Sequence, residues 1–122
     1  MAQWMNRSWK KTSSGKSKYH AKKSEVDGIT FDSQKEAHRY RELKLLERAG
    51  EIFSLELQTP YELQPSFKHN GKTIRAIKYV ADFTYKDKDG KIHIEDTKGV
   101  KTKEYLIKKK MMLYQGHEIE EV

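Results

Sequence analysis

Three consecutive stretches decide the fold: Ile74-Arg75-Ala76-Ile77-Lys78-Tyr79-Val80-Ala81-Asp82-Phe83-Thr84-Tyr85, then Asp87-Lys88-Asp89-Gly90, then Ile92-His93-Ile94-Glu95-Asp96-Thr97-Lys98. They read as a long strand, a tight turn and a returning strand. Side chains alternate between the faces of a strand, so parity assigns each residue a side. On the first strand Ala76, Lys78, Val80, Asp82 and Thr84 share one face, and Ile77, Tyr79, Ala81, Phe83 and Tyr85 the other. On the second, Ile92, Ile94, Asp96 and Lys98 share a face, with His93, Glu95 and Thr97 opposite. Asp96 and Lys98 thus continue the apolar Ile92/Ile94 face. Charges on such a face are costly without partners or a metal.

A turn centred near Lys88-Asp89 sets Tyr85 across from His93 and Asp82 across from Asp96. Directly opposed residues have Cβ atoms about 4.5–5.5 Å apart. Two carboxylates at that distance repel each other and attract a hard divalent cation. One or two carboxylates, water and a phosphate make an oxygen-only Mg²⁺ site. Lys98 falls one pleat further on, where an ammonium could stabilise negative charge developing at a scissile phosphate.

Upstream, Asp32-Ser33-Gln34-Lys35-Glu36 opens a helix, with Ser33-x-x-Glu36 matching a capping box. The helix is predicted to run to about Ala49 and stop at Gly50. Its apolar stripe is Ala37, Tyr40, Leu43 and Leu46. Glu36 projects along that stripe, either as a third acid for the site or as the reciprocal arm of the cap. Before the helix, Val26 to Phe31 reads as a short strand or hairpin limb.

After the helix, Ile52 to Leu57 is a connector or short strand. Tyr61 to Phe67 is a strand that Pro65 places at an edge or bend. Asn70-Gly71 signals a hairpin turn. Downstream of the two central strands, Thr102 caps a second helix over about Lys103–Gln115, with Ile107, Met111 and Tyr114 on one face. Gly116 ends it, and a last short strand is expected within 118–122. Helix, three antiparallel strands, helix and strand make an α+β layer fold.

The chain has 122 residues, enough for one domain, and no Cys. Disulfide scaffolds, thiol nucleophiles and Cys-ligated zinc are therefore excluded. No apolar run approaches the roughly 20 residues that span a bilayer. The first residues lack the apolar core of a signal peptide. A cytoplasmic protein with no membrane partner is the expectation. His20, His38, His69, His93 and His117 show no HxH or HExxH spacing, which argues against zinc and HNH-type sites. Gly-rich phosphate loops are lacking, so no nucleotide cofactor is expected.

The net charge is +7 and it is unevenly placed. Residues 1–23 hold Arg7, Lys10, Lys11, Lys16, Lys18, Lys22 and Lys23 and no acid, so the remainder is formally neutral. This divides the chain into a basic flexible arm, 1–23, and a domain, 24–122. The arm also carries Trp4 and Trp9. It reads as a solvated tail, as an arm that tracks phosphates and stacks indoles on bases, or, through Met1, Met5 and Trp9, as a helix docking onto a partner. Lys101, Lys103, Lys108, Lys109 and Lys110 form a second basic cluster. It is either a solvated helix face or a phosphate-contacting helix. Tyr79 and Tyr85 read as core residues.

The order Glu36, Asp82, Asp96-Thr97-Lys98 resembles the PD-(D/E)xK nuclease superfamily. The stretch from Val26 to the end also resembles a small phage- and prophage-encoded family known only as a domain of unknown function. It does so through Asp27-Gly28-Ile29-x-Phe31-Asp32-Ser33-x-x-Glu36-Ala37, Leu55-Glu56-x-Gln58, Ala81-Asp82-Phe83-x-Tyr85 and Ile94-Glu95-Asp96-Thr97-Lys98-Gly99. Ala81 stands where the superfamily name has Pro. Either Glu95 or Asp96 fits the second acid, and strand parity favours Asp96. The resemblance implies a restriction-endonuclease-like αβββαβ core. It makes Glu36, Asp82 and Asp96 metal ligands and Lys98 the catalytic lysine. Mg²⁺ is the expected cofactor, replaceable by Mn²⁺. The implied activity is an endonuclease acting on DNA, with branched or Holliday-junction DNA preferred and a homodimer as the expected assembly. The other classes open to the sequence are a non-catalytic DNA-binding or recombination accessory protein and a phage protein that recruits a host factor.

Overall fold

A computed structural model describes residues 23–97 and 100–122. The chain is α+β, with two helices and a mixed, mainly antiparallel central sheet. It divides between Ile52 and Phe53 into two compact units. The basic arm expected over 1–23 lies, but for Lys23, outside the described residues.

In the N-terminal unit, β1 (Ser24–Val26) and β2 (Ile29–Phe31) form an antiparallel ribbon, with Val26 opposite Ile29. The expected hairpin limb is thus a whole hairpin. Asp27 (φ 55°) and Gly28 (φ 77°) occupy its two turn positions. Left-handed φ at both central residues is the turn whose twist matches paired strands, and Asp-Gly suits it. Helix α1 spans Gln34–Arg48. The Ser33 side chain caps it by accepting the Glu36 N–H at 3.1 Å. At the other end Gly50 N–H bonds Glu47 O and Glu51 N–H bonds Leu46 O, a Schellman closure around left-handed Gly50. Ala37, Tyr40 and Leu43 of the expected stripe are buried, but Leu46 is not. The Tyr40 ring packs on Phe31 at 5.1 Å, and its hydroxyl donates to Asp27 Oδ2 at 3.1 Å.

The C-terminal unit carries a four-stranded sheet whose strands, in spatial order, are β3 (Ile52–Gln64), β6 (Ile77–Asp87), β7 (Ile92–Asp96) and β8 (Ile119–Glu121). Strand β3 (Ile52–Gln64) is an edge strand of 13 residues. It joins two segments that read as separate in the sequence. Ser54 (φ 58°) and Gln58 (φ 54°) are left-handed within it and reset the alternation, which hides its continuity from periodicity. Pro60 is tolerated because the strand lies at the edge, and Pro65 follows its end. A separate ribbon, β4 (Phe67–His69) and β5 (Lys72–Ile74), turns on Asn70-Gly71, both left-handed. Ile77–Asp87 forms β6 and Ile92–Asp96 forms β7. The expected long strand from Ile74 is therefore interrupted at Arg75-Ala76.

Thr102 caps helix α2 (Lys103–Tyr114) by accepting the Tyr105 N–H at 3.1 Å. Strand β8 (Ile119–Glu121) then pairs parallel to β7. The core joins Leu63, Tyr79, Ala81, Ile94, Tyr105, Met112 and Ile119. Ile107, Met111 and Tyr114 are the residues that sequence spacing puts on one face of α2. Only Met111 of these reaches the core; Ile107 and Tyr114 are exposed. The helix instead buries Tyr105 and Met112, two turns apart, and the even spread of apolar residues around it leaves no dominant stripe to read.

Candidate functional site

The site begins at a turn. Asp87 Oδ1 accepts the N–H groups of Asp89 (2.9 Å) and Lys91 (3.0 Å), and Gly90 N–H bonds Asp87 O. An Asp that ties down the backbone donors following it fixes the loop conformation. That fixes the register: Lys86 faces Ile92, Tyr85 faces His93, Thr84 faces Ile94 and Phe83 faces Glu95. The described pairing ends at Phe83 opposite Glu95, and just beyond it the Asp82 and Asp96 side chains come within reach of each other.

The two carboxylates interact. Burial first, then the charge of Asp96, push Asp82 up to about 7. Working the other way, Asp82 Oδ2 accepts both the backbone N–H and the hydroxyl of Thr97, each at 2.9 Å. Asp96 is 2% exposed and accepts a hydrogen bond from the Tyr79 hydroxyl. That hydroxyl is pushed well above the usual phenol range, chiefly by burial and then by the hydrogen bond to Asp96. Glu95 is buried too, but it accepts from the Tyr85 hydroxyl. Of the two adjacent acids, Asp96 is the one set beside Asp82.

Strand parity fails in one respect. Counting from Thr84 opposite Ile94 places Tyr79 and Ala81 on the far face. Yet both belong to the cluster that holds Ile94, and Tyr79 reaches Asp96. The alternation is therefore broken between Ala81 and Thr84, as an extra residue in a bulge breaks it. The break lies at Asp82 and Phe83, where the described β6–β7 pairing stops.

A third acid comes from β8, and sequence reasoning did not find it. Parallel pairing places Glu121 beside Asp96, and Val122 N–H bonds Asp96 O at 3.1 Å. Glu121 accepts from Lys109 (2.9 Å) and Tyr105 (2.7 Å) and pairs with Lys101 (2.9 Å). These bonds, the one from Lys109 first, pull its carboxyl down to about 2. Its sequence neighbourhood, Glu118 to Glu121, shows several acids, but nothing local says which one a parallel strand will set beside Asp96.

The other predicted site residues are placed as follows. Glu36 is buried on α1 in the N-terminal unit, where its N–H is capped by Ser33. Lys98 lies outside the described residues, as do Lys10, Lys11, Lys16, Lys18 and Lys22 of the arm. Lys23 lies 3.9 Å from Asp32. In the second basic cluster Lys101 and Lys109 are held by Glu121, and Lys108 pairs with Glu104 at 3.1 Å. Lys103 and Lys110 are exposed. Among the described residues no three His, Asp or Glu side chains form a metal-holding group.

Chemically, the arrangement is a half-buried carboxyl beside a buried one, each steered by a neutral donor of its own. Such a pair can share a proton or take a hard cation.

The chain belongs to the family described as Protein of unknown function (DUF1064), whose model matches residues 16–122. No curated protein and no solved structure matches it. Among the described residues no helix is long and apolar enough to cross a membrane.

Proposed function

We propose that this chain is a Mg²⁺-dependent endonuclease of the PD-(D/E)xK type that hydrolyses DNA phosphodiester bonds. The observation that carries the reading is the proximity of Asp82 and the buried Asp96 on neighbouring strands, where burial and then the charge of Asp96 disfavour the Asp82 anion. The donor set fits a hard cation. It is oxygen-only, it concentrates negative charge, and Mg²⁺ commonly binds through one or two carboxylates while keeping several waters. Asp82 and Asp96 would hold the ion. When bound, Mg²⁺ supplies Lewis acidity to the phosphate and lowers the pKa of a coordinated water.

The protein's own part is positioning. Thr97 fixes one oxygen of Asp82, and Tyr79 orients Asp96. Lys98 follows Asp96 by two residues and is assigned the stabilisation of the pentavalent phosphate. The basic arm and Lys101–Lys110 are assigned backbone contacts that carry no sequence information. A branched or recombination-intermediate substrate suits this reading, with a homodimer as the assembly, since two strands must be cut.

The second reading is a non-catalytic nucleic-acid-binding module in which the acid pair shares a proton. It is favoured by the protein donors that already engage both acids, Thr97 on Asp82 and Tyr79 on Asp96. A panel of labelled branched, duplex and single-stranded DNA separates the two readings. Incubation with Mg²⁺, Mn²⁺ or EDTA yields metal-dependent cutting, abolished in Asp82→Ala and Lys98→Ala with binding retained, if the nuclease reading holds. Binding without cutting under every condition supports the second.

A further inference from the structure

The strongest uncompensated positive charge among the described residues lies on the β4–β5 ribbon and the few residues that follow it. Between Glu62 and Asp82 the chain carries Lys68, Lys72, Arg75 and Lys78 and no acid. All six strand residues of the ribbon are exposed, and so are Arg75, in the link that follows it, and Lys78, near the start of β6. The ribbon pairs with no further strand among the described residues. Among those residues none of these four cations forms an ion pair, whereas Lys101, Lys108 and Lys109 are each engaged by an acid. An isolated two-stranded ribbon is marginal in water and contributes little to a core. Its sequence is thus free of packing demands, and it presents bare cations.

We propose that this ribbon, with the start of β6 that follows it, is a nucleic-acid-binding element that engages the phosphate backbones of duplex DNA through Lys68 and Lys72 on the ribbon and Arg75 and Lys78 just after it. Three features select that ligand. A two-stranded ribbon fits the major groove, which is about 12 Å wide. Its cations occupy both faces: Lys68 lies across from Thr73 on one, and Lys72 across from His69 on the other. A ribbon seated between two rows of phosphates needs charge on both sides. The tip, His69-Asn70-Gly71-Lys72, is polar, and the apolar pair Phe67 and Ile74 sits at the base. A wedge for a lipid surface would carry its apolar residues at the tip.

The inference rests on the nuclease reading for its ligand class alone, and the test separates the two. Full-length protein is titrated against a short labelled duplex in EDTA, at a series of salt concentrations, by fluorescence anisotropy. The variant Lys68→Ala/Lys72→Ala/Arg75→Ala/Lys78→Ala is expected to bind at least tenfold more weakly at about 0.1 M salt, with a salt slope lower by about 0.9 for each phosphate no longer neutralised. Its thermal melt is expected to match wild type, because the altered side chains are exposed. Lys68→Arg/Lys72→Arg/Lys78→Arg is expected to keep wild-type affinity. Unchanged affinity and slope in the alanine variant overturn the inference. So does a wild type that binds phosphatidylserine vesicles but no duplex. Metal-dependent cleavage that disappears in Asp82→Asn judges the nuclease reading separately, so either can fail alone.

Discussion

Thr97 donates both its backbone N–H and its hydroxyl to the same oxygen of Asp82, each at 2.9 Å. This interaction ties the strand end that follows Asp96 to the strand that carries Asp82. Two donors on one carboxylate oxygen favour the anion and work against the burial that raises Asp82. Thr97→Val keeps the N–H and the shape but removes the hydroxyl. Losing one such bond costs about 1 kcal/mol. The expected result is a Tm lower by a few degrees and an Asp82 carboxyl that titrates higher still, read by NMR of the carboxyl carbon. A titration that moves lower would contradict the assignment.

Asp82 predicts a pH dependence of known sign. Its folded pKa is raised from 3.8 to about 7, so between those values the folded state holds a proton that the unfolded state has released. Stability therefore falls as pH rises from about 4 to about 7, and the burden is fully present above 7. Asp82→Asn removes the charge, and its amide can still accept from Thr97 and donate to Asp96. At pH 8 the variant is expected to be more stable than wild type, by about 1–3 kcal/mol. Urea melts at pH 4.5 and 8 check this, and the gain is expected to vanish at the lower pH.

The same electrostatics predict stabilisation by cations. Millimolar Mg²⁺ at pH 8 is expected to raise the wild-type Tm, because an ion bound to the native state shifts unfolding by mass action. The rise should be absent in Asp82→Asn/Asp96→Asn. An equal rise in both proteins would assign the effect to ions bound elsewhere.

His93 provides a second pH window. Its Nε2 lies 2.8 Å from Asp87 and its Nδ1 2.7 Å from Glu120, and its ring stacks on Tyr85 at 5.1 Å. Both nitrogens face carboxylates, which favours the imidazolium, and the bond to Asp87 leads in raising the pKa above 6.5. This stabilisation is complete below about 6.5 and disappears as pH rises through the higher folded value. In His93→Gln the Tm is expected to change less with pH across that range. NMR titration of His93 should give a midpoint above that of an exposed histidine.

Much of this architecture is legible in the sequence wherever the determining interaction is local. Ser33 and Thr102 are caps, Gly50 and Gly116 are stops, and the Asp87–Gly90 turn sets Tyr85 against His93, all readable from neighbouring residues. What escapes reading depends on distant partners or on broken periods. Left-handed Ser54 and Gln58 conceal the length of β3, and the interrupted alternation near Asp82 carries Tyr79 round to Asp96. Glu121 reaches Asp96 through a parallel pairing that no local pattern encodes. The acid pair is legible because a hairpin turn lies between its members.

The central claim is that Asp82 and Asp96 form a metal-dependent hydrolytic centre. The most direct measurement is cleavage of end-labelled DNA, branched and duplex, by wild type and Asp96→Asn, with Mg²⁺ and with EDTA. The account predicts cutting by wild type in Mg²⁺, none in EDTA, and cleavage at least about a hundredfold slower in the variant while DNA binding persists. Cleavage that survives in Asp96→Asn, or a wild type that cuts none of these substrates with Mg²⁺ or Mn²⁺, would contradict it.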